Sequence, residues 1–369
     1  MTFISAWNGE VSISRESILE GVLRGDGDIV IISSTLLEGI GNPVADVDVC
    51  VVTRRLPTMG ELAANEQHTG VIYTGVILDD VGEHANVHQA VLKGPDLKKF
   101  NNPSAQIRVT YSHLDGFGTR RDVQYFLFDD VQTLLKTIAS QNALTQTNLG
   151  QMNPPASLED LRFFHRFSTG VIAGGAPLHE HLMEMIDLRL YCYHLYRTRH
   201  VPYTDFQDLI GAYLAKNWDM ATQMARQFIL LEAQGLLHLR GITNPNPKWI
   251  TTFAQRMKSD SDIFGPLLTL LRASTETEAQ SVSMVLGSLD LLDAIRVRCL
   301  EIADTDPSLP SAEDMLQLWT KYRSVFDRKH SHIMLGGEYQ SKAVWKHAIP
   351  NREFIGLMQR GLDAFSLPD

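Results

Sequence analysis

The residues best suited to chemistry are two carboxylates, Asp46 and Asp48, in the run P-V-A-D-V-D-V-C-V-V, with the hydroxyls of Ser34 and Thr35 ahead of them. In a strand the side chains alternate faces, so Asp46 and Asp48 share one side while Val47, Val49 and Val51 share the other. Two carboxylates together in an apolar strand repel each other and lose hydration, and a divalent cation removes that cost. Taken alone, an Asp-x-Asp also fits a solvated strand end or a turn cap. The flanks argue for more: Ser34-Thr35 ends the apolar run Ile29 to Ile32, and Gly39 follows. Hydroxyls and backbone N–H groups at a loop entering a short helix, Leu36 to Ile40, would form an anion site. A phosphate cradle beside a metal-binding pair points to nucleotide chemistry.

The stretch resembles the signature of the DNA polymerase β-like nucleotidyltransferase superfamily: Gly-Ser, a Gly shortly after, then Asp-x-Asp in a strand. Two letters depart from it, since Ser34-Thr35 stands in place of Gly-Ser and Ala45 where a Ser often precedes the first Asp. A Cβ at position 34 restricts how closely the backbone approaches a triphosphate. The resemblance implies a third carboxylate on a later strand, and R-R-D-V-Q-Y-F assigns it to Asp122, with Asp115 and the Asp129-Asp130 pair as fallbacks. It further implies that Asp46, Asp48 and Asp122 are the catalytic carboxylates and hold two magnesium ions. Ser34 and Thr35 would then bind the phosphates of a nucleoside triphosphate, with ATP the expected co-substrate. The domain order is similar to that of antibiotic-modifying nucleotidyltransferases of the kanamycin or streptomycin type. In that comparison G-I-T-N-P-N-P-K-W, after a long helix, places Lys248 against the triphosphate.

Composition narrows the partners. The chain has 369 residues, 44% hydrophobic and 21% charged, with a formal net charge of -10. Such acidity disfavours extended nucleic acid as a partner and favours a small, cationic, aminoglycoside-like acceptor. Three scattered cysteines, Cys50, Cys192 and Cys299, suggest neither a disulfide framework nor a zinc ribbon, and a reducing cytoplasm fits them best. The N-terminus lacks the form of a secretory signal, and no apolar run approaches a membrane span. The expected activity is transfer of a nucleoside monophosphate to an acceptor hydroxyl. The alternatives are a degenerate nucleotide-binding regulatory protein and a tRNA- or protein-modifying toxin. Glu184 and Asp187 are candidate general bases.

These residues need elements to position them. The pattern predicts a helix over Ser14 to Leu23, strands at Ile29 and through Asp46 to Val52, and a further strand over Val71 to Leu78. Next come a short helix over Val87 to Leu92, paired strands at Ile107 to Tyr111 and Arg121 to Phe128, and a helix over Val131 to Ala139. Ser140 to Ser157 is polar, contains Pro154-Pro155 and reads as a linker. Beyond it, helical periodicity dominates: a helix opening at Ser157, then His179 to Arg199, Asp205 to Lys216, Asp219 to Arg240, Asp262 to Arg272, Glu276 to Ala303, Ala312 to Phe326 and Glu353 to Phe365. The expected fold class is α+β, with a nucleotidyltransferase catalytic domain over 1–145 and an α-helical domain over 146–369 completing the substrate cleft.

Several other motifs have plain readings. His179-Glu180-His181 has the wrong helical spacing to chelate zinc. Gly170-Val-Ile-Ala-Gly-Gly lacks a dinucleotide-binding context and reads as a turn. Tyr191, Tyr193, Tyr196 and Trp218 read as core or cleft wall. Arg328 to His332 is either a solvated basic connection or a contact to an anion.

Overall fold

The computed structural model describes residues 3–6, 11–41, 45–58, 61, 71–73, 107–111, 121–147, 152–199, 201, 203–311, 351–353, 355–356 and 359. The chain divides into two compact units, one of 1–139 with 156–186, the other of 140–155 with 187–369. The fold is α+β, with the principal sheet in the first unit and a helical second unit.

The first unit opens with a two-stranded ribbon, β1 (Phe3–Ala6) and β2 (Val11–Ser14), and a one-turn helix α1 (Arg15–Leu19). Ser14 caps α1 by accepting from the Ser17 amide, and Gly21, at φ +70, turns the chain away. The helix is therefore shorter than the apolar pattern over Ser14 to Leu23 suggests. Six strands follow in one mixed sheet: β3 (Ile29–Ser33), β4 (Val47–Thr53), β5 (Val71–Tyr73), β6 (Ile107–Tyr111), β7 (Arg121–Leu127) and β8 (Val171–Gly174). Their spatial order is β5-β6-β7-β4-β3-β8. Among the described residues only the β4–β7 pair is parallel.

Two faces of this sheet differ in character. On one, Val30, Ile32, Val47, Val49, Val51, Val123 and Tyr125 pack with Ile18, Leu19 and Val22 of the α1 segment into a dry cluster. Each such aliphatic side chain, fully buried, contributes roughly 1.5–3 kcal/mol. Arg121 locks α1 there, its guanidinium donating to the carbonyls of Ser17 and Ile18. The opposite face carries Asp48, Cys50, Asp122, Gln124 and Phe126. It is covered by α3 (Leu158–Thr169), whose Phe163 meets Phe126 at a centroid distance of 4.2 Å. Between them in sequence, α2 (Phe128–Ala143) buries Val131, Leu135 and Ile138.

Several expectations need correction. The stretch after Gly170 is not a turn but strand β8, which extends the sheet by pairing antiparallel with β3. Its pairing explains why 156–186 belongs to the sheet unit, whereas the sequence reading placed a single division at 145/146. The linker region is partly helical, with α2 running to Ala143 and a 3-10 turn over Leu144–Gln146. Asp129 and Asp130 lie in the first turn of α2, which begins at Phe128. Strand β5 covers 71–73, while 74–78, the helix expected over Val87 to Leu92, Asp115, Arg328 to His332 and the helix expected over Ala312 to Phe326 lie outside the described residues. Of the helix expected over Glu353 to Phe365, only scattered positions are described.

His179 to Arg199 is likewise two helices, α4 (Ala176–Met183) and α5 (Leu188–Thr198), because Asp187 caps a new start by accepting from the Leu190 amide. The second unit is built on α7 (Trp218–Leu239), packed against α5, α6 (Tyr203–Leu214) and α10 (Glu278–Thr305). Ala221, Ala225, Ile229 and Ala233 recur every fourth residue on α7, and all four are fully buried, so the three alanines let its neighbours approach closely. A capping box of Thr277 and Gln280 starts α10, and Gly241, at φ +89, follows the end of α7. Shorter helices α8 (Ile250–Arg256) and α9 (Ser261–Arg272) complete the described bundle. The buried pair Arg296–Glu232, 3.1 Å apart, ties α10 to α7.

Candidate functional site

Asp48 and Asp122 occupy directly matched positions on the parallel strands β4 and β7. Neighbouring strands run about 4.8 Å apart, so the two carboxylates leave the backbone side by side on one face. Ser33 is the partner of Asp48 on β3, and Thr110 is the partner of Asp122 on β6. Ser33, Asp48, Asp122 and Thr110 thus occupy one register row of polar residues across four strands. Asp48 is 8% exposed and Asp122 is fully buried. Carboxylates held this deep need cationic or hydrogen-bonding company.

Asp46 lies just before β4, which starts at Val47, so it is a loop residue rather than a strand residue. Ser34 fixes that loop: its buried hydroxyl donates to the Asp46 carbonyl at 2.6 Å and accepts from the Leu36 amide at 3.0 Å. A residue expected at the phosphates is therefore engaged in joining the end of β3 to the entry of β4. Residues 35–39 form overlapping turns instead of the expected short helix. The carbonyl of Thr35 accepts from the amides of Ile40 and Gly41, at 2.9 and 2.7 Å. Gly39 takes φ +67, a conformation that favours glycine. Gly41 packs so tightly that an added Cβ would lie 2.4 Å from the Thr35 hydroxyl oxygen.

A cation already faces Asp48. The Arg166 guanidinium, from α3, lies 3.2 Å from the Asp48 carboxylate and donates to the Gln124 side-chain oxygen at 3.2 Å. Burial opposes the charge on Arg166, but nearby acids, Asp48 foremost and Asp46 and Glu159 among them, outweigh it and raise its pKa. Burial pushes the Cys50 thiol up to about 12, with Arg166 pulling the other way. One residue earlier on α3, His165 meets the Glu38 carboxylate at 3.1 Å, tying the turn segment to the same helix. The sequence reading did not single out Arg166. Its signal was a cation on the helix stripe that otherwise carries Phe163 and Phe167.

The donor set can be tested against a divalent ion. Three carboxylates are the hard oxygen ligands that magnesium takes, and Arg166 marks the place where positive charge is required. Asp48 and Asp122 match the ion in kind and share one register, while Asp46 lies outside it. Among the described residues, however, no three His, Cys, Asp or Glu side chains are already drawn into a cation cage.

The remaining candidates have other settings. Lys248 belongs to the helical unit, in a 3-10 turn over Pro247–Trp249, where its ammonium sits 4.7 Å from the centroid of the Trp249 ring. His179 is occupied with the Phe167 carbonyl at 2.8 Å, and His181 pairs with Glu184 at 3.4 Å on the surface. Asp187 serves as the helix cap described above. Tyr191, Tyr193 and Tyr196 are buried in the helical unit, and Trp218 meets Tyr213 edge-on at 5.5 Å.

Fold and site together define an α+β protein with acidic side chains gathered at one end of a parallel strand pair. No protein-family profile and no curated protein matches the chain. Among solved structures, a nucleotidyltransferase-like protein from Exiguobacterium sibiricum aligns with 94% of this chain and 89% of its own at 12% identity, with a TM-score of 0.35. An overlay that loose carries no weight here. No helix among the described residues is long and apolar enough to cross a membrane.

Proposed function

We propose that this chain is a metal-dependent nucleotidyltransferase that moves a nucleoside monophosphate from a triphosphate, with ATP the expected donor, to a hydroxyl of a small cationic acceptor. The observation that carries this reading is the matched register of Asp48 and Asp122 on adjacent parallel strands, with Asp46 at the entry to β4. These three side chains would hold magnesium, which when bound neutralises the triphosphate and lowers the pKa of a coordinated hydroxyl. The Thr35 hydroxyl would be the nearest phosphate-binding group in sequence, since the amides of Leu36, Glu38, Gly39, Ile40 and Gly41 donate within the turn, while Ser34 holds the loop in place. The acceptor hydroxyl releases its proton to solvent, its oxygen forms a bond to the α-phosphorus as the bond to the β-phosphate oxygen breaks, and pyrophosphate leaves. Such a displacement needs positioning and charge neutralisation, and no covalent protein nucleophile. The net charge of -10 supports a cationic acceptor, such as an amino sugar, over a polyanion.

Pyrophosphate release, followed with magnesium, each nucleoside triphosphate and a panel of amino-sugar acceptors, tests the proposal. Release that depends on an acceptor, and that Asp48→Asn and Asp122→Asn abolish, is the expected result. Full activity in Asp46→Asn would remove that residue from the metal site. A second reading, nucleotide binding without turnover, is favoured by the Arg166–Asp48 ion pair. It predicts binding of triphosphate with no pyrophosphate released under any acceptor.

A further inference from the structure

The contact that competes most directly with a cation on Asp48 is its ion pair with Arg166. Arg166 rides on α3, a helix held to the sheet by the Phe163–Phe126 contact, 4.2 Å between centroids. Its backbone carbonyl accepts from the Gly170 amide at 2.9 Å, closing the helix directly before β8. The backbone beneath the guanidinium is thus fixed, and relocation of the charged group falls to side-chain torsions alone. The guanidinium touches two groups of different kind, the Asp48 carboxylate and the neutral Gln124 amide, each at 3.2 Å.

A divalent cation on Asp48 and a guanidinium 3.2 Å from the same carboxylate are like charges competing for one set of oxygens. A triphosphate changes the balance, since it brings several negative charges, and a planar guanidinium binds phosphate oxygens through two parallel N–H donors. Resting on the nucleotidyltransferase reading above, we infer that Arg166 is a triphosphate-binding residue that occupies Asp48 until nucleotide arrives. The carboxylate is neutralised by the protein's own cation in the empty state. It passes to the metal only as the guanidinium moves onto the phosphates, with Gln124 offering an uncharged hold at the starting position. Metal and nucleotide then bind with positive coupling, and the bare protein takes up metal weakly.

Two dissociation constants test the inference: that of manganese chloride alone, by electron paramagnetic resonance, and that of a non-hydrolysable ATP analogue at saturating manganese, by calorimetry. Both are measured on the full chain in wild-type, Arg166→Gln and Arg166→Lys forms, with near-ultraviolet circular dichroism reporting the fold. Arg166→Gln is expected to bind manganese alone at least about tenfold more tightly, a change of about 1.4 kcal/mol, and the analogue at least about tenfold more weakly. Arg166→Lys, which keeps the charge but loses the fork, is expected to lie between. A purely structural role for Arg166 would weaken both ligands together or neither, and either pattern overturns the inference while leaving the nucleotidyltransferase reading intact. Wild-type protein that binds neither ligand, with Asp48→Asn unchanged from it, removes both. If Arg166→Gln loses its near-ultraviolet signal, the lysine form decides: manganese bound no more tightly than by wild type, with the analogue bound equally well, overturns the inference.

Discussion

Replacing Gly170 with alanine probes whether α3 is seated on β3 as described, and hence whether Arg166 can face Asp48. A Cβ built at position 170 lies 2.3 Å from a methyl carbon of Ile31, 2.7 Å from the Arg166 carbonyl oxygen and 3.0 Å from the Ile32 carbonyl oxygen. Two of these three are backbone atoms, one at the end of α3 and one in β3, so no rotamer change relieves the clash. Helix and strand must separate instead. Overpacking a tight site costs about 1–3 kcal/mol, and opposed backbone atoms place this substitution near 3 kcal/mol. With a urea dependence of about 2 kcal/mol per molar, the unfolding midpoint of the sheet unit falls by about 1.5 M. Gly211→Ala is the matched control, because that glycine lies within α6 and nothing is within 4 Å of an added Cβ. It is expected to stabilise by up to about 1 kcal/mol through helix propensity. Urea titrations followed by circular dichroism give both numbers. An unchanged midpoint in Gly170→Ala would refute the close approach of α3 to β3.

Asp48→Asn and Asp122→Asn are each expected to lower the rate of pyrophosphate release by about a thousandfold or more, measured at saturating magnesium and triphosphate. In the helical unit, Arg296→Met removes the cation paired with the fully buried Glu232 carboxylate and is expected to cost about 3–5 kcal/mol by urea unfolding. Arg352→Ala removes an exposed partner of Asp290 and should stay within about 0.5 kcal/mol of wild type. Burial pushes the Asp293 carboxyl up to about 6 from its ordinary 3.8, against the opposing pull of the Asn351 amide. The folded chain therefore holds a proton there that the unfolded chain releases, so this group's contribution to stability falls as pH rises through about 4 to 6. Asp293→Asn is expected to flatten that slope, on the order of 2 kcal/mol, in unfolding midpoints compared at pH 4 and pH 7. All three cysteines are buried, and burial pushes the thiols of Cys50 and Cys192 up to about 12. Iodoacetamide should therefore label none in the native protein and all three in urea.

What the sequence made legible was local. Alternation in V-D-V-C-V-V specified a strand with acids on one side and valines on the other, and the longer helical periods marked the bundle. Pairing was less accessible. Strand β8 was misread because V-I-A is short and bounded by Gly170 and the Gly174-Gly175 pair, which signal turns as strongly as they permit close approach of an edge strand. The break between α4 and α5 was signalled by Asp187, but apolar residues at helical spacing run on across it and mask the cap. Ser34 is a harder case: a hydroxyl beside a turn can bind a phosphate or satisfy the chain's own amides and carbonyls, and residue type does not distinguish them. Arg166 was missed because its partner, Asp48, is far away in sequence, and only the packing of α3 on the sheet brings them together.

The parallel pairing of β4 with β7 also bears on how the protein matures. Asp48 and Asp122 are separated by roughly seventy residues, so the loop between them must close before the two acids can cooperate, a slow and non-local event in folding. A nascent chain emerging from the ribosome can complete the hairpin of β3 and β4 while still lacking the third acid. Should β7 then dock one position out of step, Asp122 would turn into the valine layer and Val123 would take its place among the acids. Catalytic competence, on this architecture, would report correct strand alignment as directly as any spectroscopic probe.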